Sequence, residues 1–273
     1  MSLKILIIGK NSFIGINIYE KLKKKLDIVK LSFDTVKIKN ESFFKQFQFI
    51  INCSINHNYI SKKYNALYDF DLILAHKIKF TDCRYVFISS RKVYYPKFNI
   101  TEESRTNPKN HYGKNKLITE KKLQELLNSK LLIMRTSNIL GLKKKNKRRI
   151  HKTFLDFFYQ NITANKIILY NNCYKDFLSI NQFVNILFLL IKKKAYGVVN
   201  VSLGKKVYLT NIVKWLNYFN TKNVEHISVN KGINCDSFTL NNNRLKKIIN
   251  YKILVADLKK DCLEISKKIF LKK

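Results

Sequence analysis

The chain has 273 residues, 46% of them apolar, and a formal net charge of +35. That length and apolar content suffice for one large domain, or a domain with a subdomain, and a sizeable core. Such a charge would ordinarily point to nucleic acid or an anionic membrane, but lysine is spread along the whole chain, asparagine is abundant and arginine, the better residue for bidentate phosphate and base contacts, occurs seven times. A lysine- and asparagine-biased composition accounts for the charge better than a binding patch, so nucleic acid is not expected as the main partner.

In chain order, "KILIIG" is a short β-branched apolar run ending in glycine, which predicts a buried parallel strand. "FIGINIYEKLKKKL" follows with helical periodicity, Ile14, Ile18 and Leu22 falling on one face. "DIVKLSF" reads as a second strand ending near Asp34, and "FQFIINCS" as a third. "LYDFDLILAHKIK" is helical, "RYVFISS" is a fourth strand, residues Tyr112 to Leu127 are helical again, and "KLLIMRTSNILG" opens with a fifth strand. This alternation predicts an α/β fold of the Rossmann type, a doubly wound parallel sheet. "YGVVNVS" predicts another strand and "LTNIVKWLNYF" a helix with Thr210 as its N-cap. The expected division is a dinucleotide-binding domain over 1–142 that also receives about 170–203. A smaller mixed substrate-binding region would take 143–169 and 204–273, entered through the basic loop "LKKKNKRRIHK".

Cys53, Cys83, Cys173, Cys235 and Cys262 are odd in number and far apart, with no CxxC pair or Cys/His cluster. Neither a metal site nor a disulfide framework is expected, and reduced thiols in a cytoplasmic protein are. The opening "LKILIIG" does not have the form of a signal peptide, and the longest apolar run, "FVNILFLLI", contains Asn185 and falls far short of a membrane span.

Two places carry chemistry. Gly9-Lys10-Asn11-Ser12-Phe13-Ile14-Gly15 joins the first strand to the first helix. A pyrophosphate needs backbone N–H groups and a helix N-terminus at close range, and glycine permits that approach. Asp34, 25 residues after Gly9, could hold adenosine ribose hydroxyls and repel a 2′-phosphate, which favours NAD, although Lys37 and Lys39 nearby leave NADP open. The second place is "SSRKVYYPKFNITEESRTNPKNHYGKNK". Its Tyr112 and Lys116 share one face of a helix. A phenol with a pKa near ~10 is a poor base at neutral pH, and an adjacent ammonium favours its phenolate. The spacing alone says little, because Tyr19/Lys23, Tyr59/Lys63 and Tyr218/Lys222 repeat it. The other three pairs lack a preceding strand ending in serine, as Ser89-Ser90 does here.

These stretches together resemble the extended short-chain dehydrogenase/reductase family, which contains NAD-dependent nucleotide-sugar epimerases, dehydratases and reductases. "GKNSFIG" resembles its glycine loop, "ISSRKVYY" its SSxxVYG segment, and "TEESRTNPKNHYGKNK" its acidic-Pro-Tyr-Gly-x-x-Lys stretch. "INCSI", "MRTSNILG" and "KDFLSINQF" follow in the family's order. The resemblance implies Tyr112 as general acid/base, Lys116 on the nicotinamide ribose and Ser90 on the substrate oxygen. It places Gly9, Ser12, Phe13, Ile14 and Gly15 around the pyrophosphate, with Asp34 and Ser54 also lining the cofactor. Asn138, Arg91 and Arg149 would meet the sugar-nucleotide, and a homodimer is implied. Asp176 would structure its loop.

The departures narrow the chemistry. Ser12 replaces the second glycine, Tyr95 stands where glycine is usual, and Arg91-Lys92 occupy the places of the Asp-Glu pair that performs elimination in the 4,6-dehydratase branch. Dehydration is therefore not expected. What remains is epimerisation, with reduction of a keto-sugar or a non-catalytic dinucleotide-binding protein on the same fold as alternatives.

Overall fold

The computed structural model describes residues 3–142, 154–163, 166–170, 172–222, 225–229 and 236–271; Arg148 and Arg149 lie outside them. The frame is a six-stranded sheet of β1 (Lys4–Ile8), β2 (Asp27–Leu31), β3 (Phe49–Asn52), β4 (Arg84–Ser90), β5 (Leu131–Thr136) and β6 (Gly197–Val201). Its order is β6-β5-β4-β3-β1-β2, and every pair is parallel. The chain starts in the interior, steps outward to β2, then returns past β1 to build the other side. Between β1 and β3 the connections diverge, which opens a crevice at the carboxyl ends of those strands.

The strands are continuous apolar runs because both faces are covered. Alternation along β1 sends Ile5 and Ile7 into one core and Leu6 and Ile8 into the other. The first core lies under helix α1 (Phe13–Leu22) and helix α4 (Ile180–Lys192). The second lies under α2 (Phe70–Ile78) and α3 (His111–Leu127). In α1 the buried residues are Gly15, Ile18 and Leu22, the helical stripe predicted from the periodicity, with Ile14 half-buried.

Outside the main sheet, among the described residues, stand three two-stranded pairings: Asn138–Leu140 with Phe177–Ser179, Lys166–Tyr170 with Glu225–Val229, and Tyr174–Lys175 with Val207–Tyr208. Asp176 fastens this region to the sheet. It is fully buried, and its carboxylate accepts from the backbone N–H groups of Leu203 at 2.9 Å, Gly204 at 3.0 Å and Leu240 at 3.2 Å. Burial pushes its pKa up to about 7 while those donors pull it down. Asp176→Asn places an amide NH2 against at least one of those donors. It should cost about 1–3 kcal/mol, read as a lower urea midpoint at unchanged slope.

Three expectations are corrected. The second strand ends at Leu31 rather than near Asp34, because the Ser32 hydroxyl accepts from Thr35 N at 3.2 Å and starts a short helix over Phe33–Lys37. Thr210 is not an N-cap: the cap position is two residues earlier, at Tyr208, with no side-chain capping bond, and Thr210 is the second residue of the helix Leu209–Leu216. Cys173 is disulfide-bonded, whereas Cys53, Cys83 and Cys262 are free. Separation along the chain does not report separation in space, so spacing alone could not reveal that bond. Among the described residues, no helix is long and apolar enough to cross a membrane.

Candidate functional site

The glycine loop lies at the crevice between β1 and β3. Gly9 has φ +102°, and a Cβ built there would stand 2.8 Å from Ser54 Oγ and 2.9 Å from the backbone of Cys53 and Ser54. A side chain at Gly15 would meet Gly9 O and Ser12 Oγ at 2.7 Å. Both glycines are therefore required by close approach, and Gly9 also by conformation. The loop after β1 is thereby folded against the loop after β3, with the N-terminus of α1 facing the crevice.

Ser12 has a defined task. Its hydroxyl caps α1 by accepting from Gly15 N at 2.9 Å. The missing second glycine is thus replaced by an N-cap. A cradle too tight for a Cβ at Gly9 or Gly15, opening at a helix N-terminus, fits a pyrophosphate. Asp34 lies three residues beyond Leu31, whose carbonyl accepts from Gly9 N at 2.8 Å and Lys10 N at 3.0 Å, and it is exposed and paired with Lys37 Nζ at 2.8 Å.

The second cluster forms where β4 ends against α3. The two serines there have opposite fates, as strand alternation requires. Ser89 is buried, and its hydroxyl donates to Glu120 Oε1 at 2.5 Å. Ser90 is half-exposed, and its Oγ accepts from Lys92 N at 3.2 Å. Tyr112 and Lys116 occupy the first turns of α3, capped by Asn110 through Gly113 N at 2.9 Å. Gly113 is held close: a Cβ there would lie 2.2 Å from Lys92 O. The residue after Tyr112 is thus pressed onto the turn after Ser90, which brings Ser90, Tyr112 and Lys116 into one neighbourhood.

Lys116 is buried. Its Nζ donates to Ile88 O at 2.9 Å, lies 3.9 Å from Asp71 Oδ2, and stands 4.3, 5.6 and 6.0 Å from the ring centroids of Phe87, Tyr59 and Tyr112. Asp71 Oδ1 accepts from Asn52 Nδ2 at 2.9 Å and Tyr85 OH at 2.8 Å. Burial raises the Asp71 pKa to about 6, with Lys116 lowering it and Asp69 raising it. Tyr59, discounted in the sequence, sits beside this ammonium. Its hydroxyl lies 2.7 Å from Thr119 Oγ1, and burial pushes its phenol well above the ordinary range. A base needs access to its proton, and Tyr59 has none.

Behind the cluster, Arg135 and Glu120 form a buried bidentate pair. Nε stands 3.1 Å from both carboxylate oxygens and Nη2 2.6 Å from Oε2. Nη1 of Arg135 donates to Tyr94 OH at 2.7 Å, and Tyr94 donates to Asn200 Oδ1 at 3.0 Å. Together with the Ser89–Glu120 bond, these lock α3 to β4, β5 and β6. Asn138 is half-buried, with its backbone N–H on Asp176 O at 3.3 Å. Arg91 is buried beside Ser90, and Arg149 lies outside the described residues. Sequence reasoning missed Asp71, Asn52, Tyr85 and Glu120. The one available signal was an acidic residue inside the apolar helix "DFDLILA".

Similar folds occur among solved structures. UDP-N-acetylglucosamine 4-epimerase from Methanobrevibacter ruminantium M1, in complex with UDP-N-acetylmuramic acid, superposes with a TM-score of 0.81 at 16% identity, covering 98% of each chain. dTDP-4-dehydrorhamnose reductase from Yersinia enterocolitica gives 0.73 at 17% identity, covering 97% of this chain and 98% of its own. The Bordetella bronchiseptica enzyme WbmG in complex with NAD gives 0.76 at 17% identity, covering 98% and 95%. No curated protein matches the sequence. The family model of the RmlD substrate binding domain matches residues 3–161, more than half of the chain. The protein accordingly belongs to that family, within the extended short-chain dehydrogenase/reductases.

Proposed function

We propose that the protein is an NAD(P)-dependent nucleotide-sugar epimerase in which Tyr112 is the acid/base. The observation that carries this reading is the convergence of Ser90, Tyr112 and Lys116 beside a glycine cradle on one sheet edge. The family membership and the enzymes of similar fold support it. Gly9, Ser12, Phe13, Ile14 and Gly15 would hold the pyrophosphate, Ser54 would line the crevice, Asp34 would meet the adenosine ribose, and Lys116 the nicotinamide ribose. When bound, the nicotinamide supplies a reversible hydride acceptor.

Ser90 orients the sugar oxygen that changes oxidation state. Tyr112 takes the proton from that oxygen on oxidation and returns it on reduction. Lys116, fixed by Ile88 O and Asp71, keeps a positive charge beside the phenol. An epimerase lets the keto-sugar present its other face before reduction. Asn138 and Arg149 would contact the sugar-nucleotide, with residues 143–169 and 204–273 forming the substrate-binding region.

A reductase that stops after one hydride delivery is the second reading, supported by two dTDP-4-dehydrorhamnose reductases of similar fold. Absorbance of reduced nicotinamide, followed against a panel of nucleotide sugars and their keto forms, separates the two. Epimerisation leaves no net reduced cofactor while product forms, and reduction consumes it in equal amount. No turnover with any panel member, together with no binding of NAD or NADP in calorimetry, would overturn the enzyme reading.

A further inference from the structure

The turn that follows Ser90 carries more positive charge than its surroundings neutralise. Arg91 is 8% exposed, and its guanidinium carbon lies over the buried Phe238 ring, 4.1 Å from the centroid. Its Nε is buried without a hydrogen-bond partner. Lys92 is half-buried, with Nζ 5.8 Å from the Tyr112 ring centroid. Lys175, also half-buried, arrives from the Tyr174–Lys175 pairing, where Tyr174 N donates to Ser237 Oγ at 3.3 Å, next in the chain to the Phe238 that Arg91 covers. Among the described residues, no carboxylate forms an ion pair with any of these three cations. The nearby Asp236 is half-exposed and stands 4.0 Å from Lys109.

Burial lowers the pKa of Arg91, Lys92 and Lys175. Arg91 lowers Lys92 and Lys175 further, and Asp236 opposes the shift in all three. Crowding desolvated cations in this way opposes folding unless an anion joins them. Burial over Phe238 also marks Arg91 as something other than a solvated surface charge.

We infer that Arg91, Lys92 and Lys175 form an anion subsite at the sugar end of the cleft, and that the substrate sugar bears a carboxylate. This rests on the nucleotide-sugar reading above and names its substrate class. The position selects the sugar. Arg91 follows Ser90 directly, and Lys92 carries the carbonyl on which Gly113, next to Tyr112, is packed. The cations therefore border the groups that would hold the reacting carbon. A carboxylate there would give the unpartnered Arg91 Nε–H a charge-assisted hydrogen bond.

The test is calorimetry on the NAD-loaded full chain with two matched pairs of probes, UDP-glucuronate against UDP-glucose and the corresponding dTDP pair. The wild type should bind the acidic sugar about 10- to 100-fold more tightly, the size of one or two hydrogen bonds to a charged group. Arg91→Gln and, separately, the less buried Lys175→Gln should each shrink that ratio by about tenfold or more. Circular dichroism shows whether each variant is folded, and either folded variant suffices. Equal affinity within both wild-type pairs overturns the subsite and leaves the nucleotide-sugar reading in place. An affinity and ratio unchanged in a folded variant overturn it, and so does an equal loss for acidic and neutral sugars, which assigns the cations to the shared diphosphate. Binding of no probe overturns both readings.

Discussion

Tyr112→Phe should lower turnover by about 10²- to 10⁴-fold, the usual contribution of a positioned acid/base. It should change unfolding free energy by less than ~0.5 kcal/mol, as expected for a substitution at a half-exposed position that removes one oxygen. The reason is specific to this cluster. Four tyrosines of the chain have a lysine four residues on, and two of them, Tyr59 and Tyr112, come within about 6 Å of the same ammonium, at 5.6 and 6.0 Å. Tyr59 is 3% exposed, is committed to Thr119, and has its phenol pushed upward by burial. Tyr112 is half-exposed, as is Ser90. Tyr59→Phe should therefore keep turnover and lose about 1 kcal/mol of stability with its hydrogen bond. The check is steady-state turnover and urea unfolding on both variants. A fully active Tyr112→Phe beside an inactive Tyr59→Phe would transfer the role to Tyr59.

Glu120→Gln should be among the most destabilising conservative changes in the chain, costing about 3–5 kcal/mol. Arg135 is 7% exposed and Glu120 2%. Desolvation alone would lower the Arg135 pKa, but the hydrogen bond and charge of Glu120 raise it above its ordinary value. Neutralising Glu120 removes that compensation and leaves a buried guanidinium facing an amide. At roughly 2–4 °C per kcal/mol for a chain somewhat shorter than this one, thermal unfolding should drop by about 10 °C. The double variant Glu120→Leu, Arg135→Met removes both charges and should recover most of the loss. Calorimetric melting of the two variants decides this. A double variant as unstable as the single would show that the pair's attraction, rather than the unpaired charge, dominates. Because Ser89 also bonds Glu120, the single variant should loosen the β4–α3 junction and reduce activity along with stability.

Much of the fold was legible in residue order. The runs "KILII", "FIIN", "RYVFISS" and "LLIMRT" are strands because a strand covered on both faces needs apolar side chains at successive positions. The glycine loop was visible because glycine is scarce in this chain, seven in all. What misled was local. "DIVKLSF" looks extended throughout, yet the Ser32 hydroxyl ends the strand early. Thr210 has the side chain of a cap but lies within the helix it was expected to start.

The sequence by itself determined the alternating α/β order, the helical turn shared by Tyr112 and Lys116, and the positive charge after Ser90. Each depends on residues within a few positions of one another, where backbone period and turn chemistry act directly. Only the tertiary structure decided which serine turns outward, which tyrosine is sealed beside Lys116, and what holds that lysine. It also decided that Glu120 answers Arg135 across 15 residues and that Asp71, rather than a nearer acid, faces Lys116. Those partners meet because parallel strands with helical crossovers bring distant segments to one sheet edge. A buried charge there is stable only beside its opposite, which spacing along the chain does not encode.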